Sequence, residues 1–122
     1  MAGLTNATSA SALDFLFPTT GATDHIAWSA NGTSESGALA RTAIGATGWA
    51  SATVADPSVK ANANALTSAA ASSGATITHF AVYSASTGGT QKCDWTALAS
   101  SRTVASGDQL TVAVGACQVT LT

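Results

Sequence analysis

The sequence predicts an all-β protein, a small antiparallel β-sandwich with a short N-terminal helix, in one domain over residues 1–122. Three observations carry this reading. Apolar and polar side chains alternate over residues 24–29, 75–84, 91–98 and 109–121, the period of a half-buried strand. Turn signals separate these runs: Asn31-Gly32, Ser86-Thr87-Gly88-Gly89 and Ser106-Gly107-Asp108. Finally, Leu, Ile, Val and Phe total only 21 residues, a number low enough for disorder, but the net charge is only -2 and disordered chains usually carry high net charge.

The helix is expected over residues 5–17. Thr5, Asn6 or Thr8 can cap it, Leu13, Leu16 and Phe17 share a face, and Pro18 blocks continuation. Residues 24–29 then form a strand with His25, Ala27 and Ser29 on one side and Ile26 and Trp28 on the other. Asn31-Gly32 turns the chain toward a partner strand within residues 39–44. Residues 45–58, with Gly45, Gly48 and Pro57, read as irregular apart from a short strand near Trp49. Residues 60–73 hold Leu66 as their one large apolar side chain and read as a surface excursion.

Residues 75–84 and 91–98 make a hairpin around Ser86–Gly89. The last run, 109–121, changes phase. Leu110, Val112 and Val114 mark one face at even positions, and Cys117, Val119 and Leu121 continue it at odd positions. A one-residue slip reverses every later side chain, so Gly115-Ala116 is expected to be a bulge or break, with Val112, Val114, Cys117 and Val119 in the core.

Composition bounds the function. Ala, Thr and Ser supply 62 of 122 residues, which leaves 28 larger apolar or sulfur-bearing side chains for a modest core. Arg41, Lys60, Lys92 and Arg102 stand far apart, without the clustered cations that sequence-independent nucleic-acid binding needs. No apolar run nears the roughly 20 residues of a membrane helix. Residues 1–17 lack Lys and Arg, so a signal peptide is not expected. Neither nucleic acid nor membrane is an expected partner.

The sequence offers little catalytic chemistry. His25 and His79 stand 54 positions apart, with no metal-ligand spacing around either. Of the carboxylates, Asp56 precedes Pro57 and Asp108 follows Gly107, both turn positions, while Asp94 is expected to face solvent or an edge. No Gly-x-Ser-x-Gly elbow supports a hydrolytic triad. No catalytic, cofactor-binding or metal-ligating residue is assigned, and no enzyme activity or cofactor is expected. Cys93 and Cys117 are expected in strands as buried free thiols, a disulfide being the alternative. Trp28, Trp49 and Trp95 are expected in the core.

Nearly the whole chain resembles a family of small bacteriophage virion structural proteins, tail-fibre-like and similar to the mycobacteriophage Gp80-like group. The resemblance is carried by the opening Met1 to Asn6, Leu13-Asp14-Phe15-Leu16-Phe17, His25-Ile26-Ala27-Trp28-Ser29 and Ala40-Arg41. It is carried further by Ile77 to Tyr83, Trp95-Thr96-Ala97-Leu98, Arg102-Thr103-Val104, Ser106-Gly107-Asp108 and Ala113 to Leu121. It implies a virion protein without enzyme activity. Small size and low charge then favour a capsid decoration, or cement, protein that binds the major capsid protein as a homotrimer on the capsid surface after assembly in the host cytoplasm. The alternative is a tail-fibre or tail-tip component that contacts the host.

Overall fold

The chain enters its first element at Thr5, whose extended backbone and side chain form a cap. Its Oγ1 accepts the amide of Thr8 at 3.2 Å, which satisfies one of the free donors at a helix start. The computed structural model describes residues 3–121. Helix α1 spans Asn6–Leu16 and closes where the amide of Phe17 donates to the carbonyl of Leu13 at 2.8 Å. Pro18 follows, and its ring cannot continue the ladder. The buried stripe of α1 is Ser9, Ala10 and Leu13, with Phe17 buried just beyond it. Leu16 was expected on this stripe but is 51% exposed. The stripe centres on Ala10, Leu13 and Phe17, and at about 100° per residue Leu16 falls on its rim.

Among the described residues the strands are β1 (His25–Ser29), β2 (Thr42–Ala43), β3 (Ser58–Ala61), β4 (Leu66–Thr67), β5 (Ala75–Tyr83), β6 (Thr96–Val104), β7 (Thr111–Val112) and β8 (Gln118–Leu121). They form a four-stranded sheet in the order β2-β1-β5-β6 and two two-stranded ladders, β3-β8 and β4-β7. The pairings of β1 with β2 and β5, of β5 with β6 and of β3 with β8 are all antiparallel. The all-β class with one short N-terminal helix is therefore the fold that forms.

The chain divides into two compact units. The first draws on Met1–Ala22, Ile44–Ala65 and Val112–Thr122. Here Ser58 of β3 faces Leu121 of β8 and Ala61 faces Gln118. Its core is Ala10, Leu13, Phe17, Ile44, Trp49 and Cys117. The rings of Phe17 and Trp49 meet edge to face at 5.3 Å, a favoured aromatic arrangement. Trp49 lies in an isolated bridge with Asn62, so the short strand expected there is a single rung. Gly48 shapes the approach to it, because a Cβ at that position would lie 1.8 Å from the carbonyl oxygen of Ile44.

The second unit draws on Thr23–Ala43 and Leu66–Thr111 and holds the four-stranded sheet. Ile26, Trp28, Leu39, Ile77, Val82 and Val104 are buried in it. The indole of Trp28 donates to Thr42 Oγ1 at 3.1 Å, so its one polar atom is satisfied in the interior. β1 was read as half-buried, yet Ile26, Ala27, Trp28 and Ser29 are all buried. A strand covered on both faces loses the in–out alternation that marks a half-covered one.

Other expectations shift. The hairpin return was placed at 91–98; Gln91 makes an isolated bridge to Tyr83, and the strand proper, β6, begins at Thr96, within that range, and runs on to Val104. Ile77 faces Arg102 and His79 faces Ala97, so Leu98 to Ser101 lie opposite Thr78 in a bulge. The run 109–121 breaks into β7 and β8 around Gly115, whose φ is 78°. The change of phase is real, since Cys117 is buried and Ala116 exposed. Val114, expected in the core, is exposed because it lies in the turn before Gly115, outside both strands. Residues 60–73 are not a surface excursion: Lys60, Asn62, Ser68 and Ala71 are buried.

Candidate functional site

Two ion pairs of the second unit hold the loop after β5. Arg41 stands just before β2, with its guanidinium carbon 3.9 Å from the centre of the Tyr83 ring. Its Nη1 donates to the carbonyls of Ala85 and Gly88, each at 2.8 Å. Its Nε donates to both carboxylate oxygens of Glu35 at 3.1 Å, and Nη2 completes that ion pair. The Glu35 hydrogen bond outweighs burial and holds the guanidinium pKa above its ordinary value. A planar fork that stacks on a ring and binds two carbonyls suits Arg and not Lys. Arg41 thus fixes the 84–90 turn to the sheet. Trp95, half-buried, adds a tilted contact to Tyr83 at 6.2 Å.

The base of the same loop is held by Lys92, whose Nζ lies 2.6 Å from Oδ1 of the buried Asp24. Thr23 Oγ1 donates to the carbonyl of Ser84 at 2.9 Å. Cys93, half-buried and not in a strand, is a free thiol. Burial, with the Asp24 charge second, pushes its pKa up to about 11. A thiol so raised is protonated at neutral pH and weakly nucleophilic. Cys117 is a reduced, buried thiol in the first unit and lies just before β8.

The two histidines come onto neighbouring strands without meeting. His25 pairs with Tyr83 and His79 pairs with Ser29, so four rungs, roughly 13 Å, separate them along the sheet. Nδ1 of His25 lies 2.8 Å from the carbonyl of Thr23, and Nδ1 of His79 lies 2.7 Å from Thr78 Oγ1. Both rings have local structural partners. Among the described residues, no three His, Cys, Asp or Glu side chains group to hold a metal ion. Asp108 Oδ2 accepts the amide of Ala105 at 2.9 Å, the turn role expected of it. Asp56 and Asp94 are exposed.

The first unit contains the polar feature that the sequence reading missed. Lys60 on β3 is fully buried, and its Nζ lies 2.6 Å from Asp14 Oδ1 on α1. The same oxygen accepts the amide of Ala52 at 2.9 Å. Burial alone raises the Asp14 pKa; the bonds from Lys60 and Ala52, with the Lys60 charge, win and hold it below its ordinary value. The buried Asn62 accepts the Cys117 amide at 2.9 Å and donates to the carbonyls of Asn64 and Ala113. No signal for the buried Lys60 lies in the sequence: the alternation of Ser58-Val59-Lys60-Ala61 points Val59 and Ala61 inward, yet Ser58 and Lys60 are the buried pair.

These arrangements join segments of the chain through partners it already contains. Among the described residues, the exposed large apolar side chains are Leu4, Phe15, Leu16, Val54 and Val114. Residues 3–120 match one protein family, described as "Podophage GP4 fiber I protein gp80". No curated protein matches the chain.

Proposed function

The chain belongs to this gp80 family and is a phage structural protein; from that premise we propose that it is a component of the virion's fibre. The observation that carries the reading is the match over residues 3–120, nearly the full length, to a family whose description names a fibre protein. The structure is consistent with such a role. Its polar side chains hold turns and ladders in place, as Arg41 does for the 84–90 turn and Asp14 for β3. Capsid decoration is the second reading, favoured by small size and by the ten charged residues in 122. Partners on either reading are other virion proteins and further copies of this chain.

Copy number in purified particles tests the proposal. A fibre component is present in a small fixed number per virion and labels the tail with a specific antibody. Hundreds of copies distributed over the head would overturn the fibre reading in favour of decoration. Absence from purified particles would overturn both.

A further inference from the structure

We propose that Asn31-Gly32, in the loop after β1, is a self-modification site held shut by the fold, and that opening of this loop lets Asn31 deamidate. The proposal does not rest on the fibre reading. An asparagine before glycine is the pair most open to this chemistry, because glycine puts no side chain in the way of its own amide nitrogen. That nitrogen attacks Cγ of Asn31, a C–N bond forms, and the side-chain nitrogen leaves as ammonia with the proton the amide gives up. Water then opens the five-membered imide at one carbonyl or the other and leaves aspartate or isoaspartate.

The groups that must move are tied down. Ser29, the buried last residue of β1, sets one hydroxyl between nucleophile and electrophile. Its Oγ accepts the attacking amide of Gly32 at 2.9 Å and the amide of Asn31 at 3.1 Å, and donates to Asn31 Oδ1 at 3.1 Å. Oδ1 also accepts the amides of Thr33 at 2.9 Å and Ser34 at 3.0 Å, and the Thr33 hydroxyl at 3.1 Å. Nδ2 donates to Ser34 Oγ at 3.2 Å. Ring closure needs the carboxamide carbon turned onto the Gly32 nitrogen, and that turn breaks these bonds.

Gly32 is pinned as well. Its φ is 76°, and a Cβ there would lie 3.0 Å from Cε1 and Nε2 of His79, so the imidazole rests against the glycine. The ring is itself held by Thr78, whose Oγ1 lies 2.7 Å from His79 Nδ1. Deamidation therefore waits on local opening, which sets the pace of chemistry in a protected loop. The reaction runs one way once ammonia is lost. Isoaspartate carries the main chain through the former side chain, so the oxygen that held the Thr33 and Ser34 amides is no longer placed to accept them. A loop that has opened and reacted cannot close again as it was. Either product also adds a negative charge to a chain of net charge -2.

Peptide mapping by mass spectrometry tests this on the full chain, incubated at mildly alkaline pH either folded or in guanidinium chloride. The mass gain at Asn31 and the isoaspartate it yields are followed with time. The folded chain should react at least about a hundredfold more slowly than the unfolded one, because several hydrogen bonds must break together. Ser29→Ala should speed the folded reaction at Asn31 by about tenfold, the scale for losing one such bond. Asn6 and Asn64, each followed by alanine, serve as references in the same digests and should not change. Where Ser29→Ala raises all three rates, the fold itself has been lost. The exposed pair Thr33→Ala with Ser34→Ala, which removes two side-chain bonds to Asn31, then gives the readout. Equal rates for the folded and unfolded chains at Asn31 overturn the proposal. So does a folded variant whose Asn31 reacts no faster than that of the wild type.

Discussion

Lys60 shows how single residues bear on this fold. A lysine with no exposed surface is costly unless its charge is met, and Asp14 meets it at 2.6 Å from another element. Asp14→Ala leaves that cation buried without its carboxylate and should cost about 3 kcal/mol, the lower end for broken buried pairs because the Asp14 side chain reaches solvent. Lys60→Met keeps the volume, removes the charge and should cost less; urea unfolding of both variants measures the order. Because the folded Asp14 carboxyl has a lowered pKa, its contribution is present above the unfolded value near 3.8 and lost as pH falls through the folded value. Stability of Asp14→Ala should therefore vary less with pH across the acid range than that of the wild type. Cys93 makes a separate prediction. With its thiol raised to about 11, alkylation of the native protein at pH 8 should be much slower than that of the unfolded chain, where Cys has its ordinary pKa. Equal rates would show that the folded surroundings of the thiol do not protect it.

Among the elements, the turn at Gly48 is the most exacting. Gly48→Ala sets a methyl group 1.8 Å from a backbone oxygen, where no side-chain rotation relieves it, and should cost more than about 2 kcal/mol in a thermal or urea melt. Gly107→Ala meets open space at a φ of 92° and should cost about 1 kcal/mol from backbone strain alone. Elements governed by local rules were legible in the sequence: the Thr5 cap, the stop before Pro18, strand β5, and the turns at Gly88-Gly89 and Gly107. Elements governed by tertiary pairing were not. The partner of β3 is β8, far along the chain, and no periodicity within residues 58–61 signals it. The bulge opposite Thr78 hid the length of β6, because alternation fails where four residues face one. In the candidate site the turn role of Asp108 was legible because Gly107-Asp108 is a local signal, whereas the reach of Arg41 to Ala85 and of Lys60 to Asp14 was not, because those partners lie far along the chain. The spacing of Leu13, Leu16 and Phe17 leaves Phe15 off the buried face of α1, as the structure has it, but it also assigns Leu16 to that face, and Leu16 is exposed on its rim.

For the whole molecule, the distribution of charge decides how it can be held in a particle. Ten residues are charged. Glu35 with Arg41, Asp14 with Lys60 and Asp24 with Lys92 satisfy six of these within the chain. Asp56, Asp94, Asp108 and Arg102 remain, three acids and one base, which accounts for the net charge of -2. Asp108 is further engaged by the Ala105 amide. An interface built on ion pairs would therefore have few charges to use, whereas apolar contacts and Ser and Thr hydroxyls are plentiful. Salt at about 1 M shortens the Debye length to roughly 3 Å and removes most exposed electrostatic attraction. Apolar contacts persist under those conditions. Particles washed at that concentration should keep this protein in the amount found at low salt, as read by quantitative immunoblotting of the pelleted virions. Release at high salt with retention at low salt would show that the few free charges, above all Arg102, hold the protein in place, and would defeat the account of an apolar and polar-uncharged attachment.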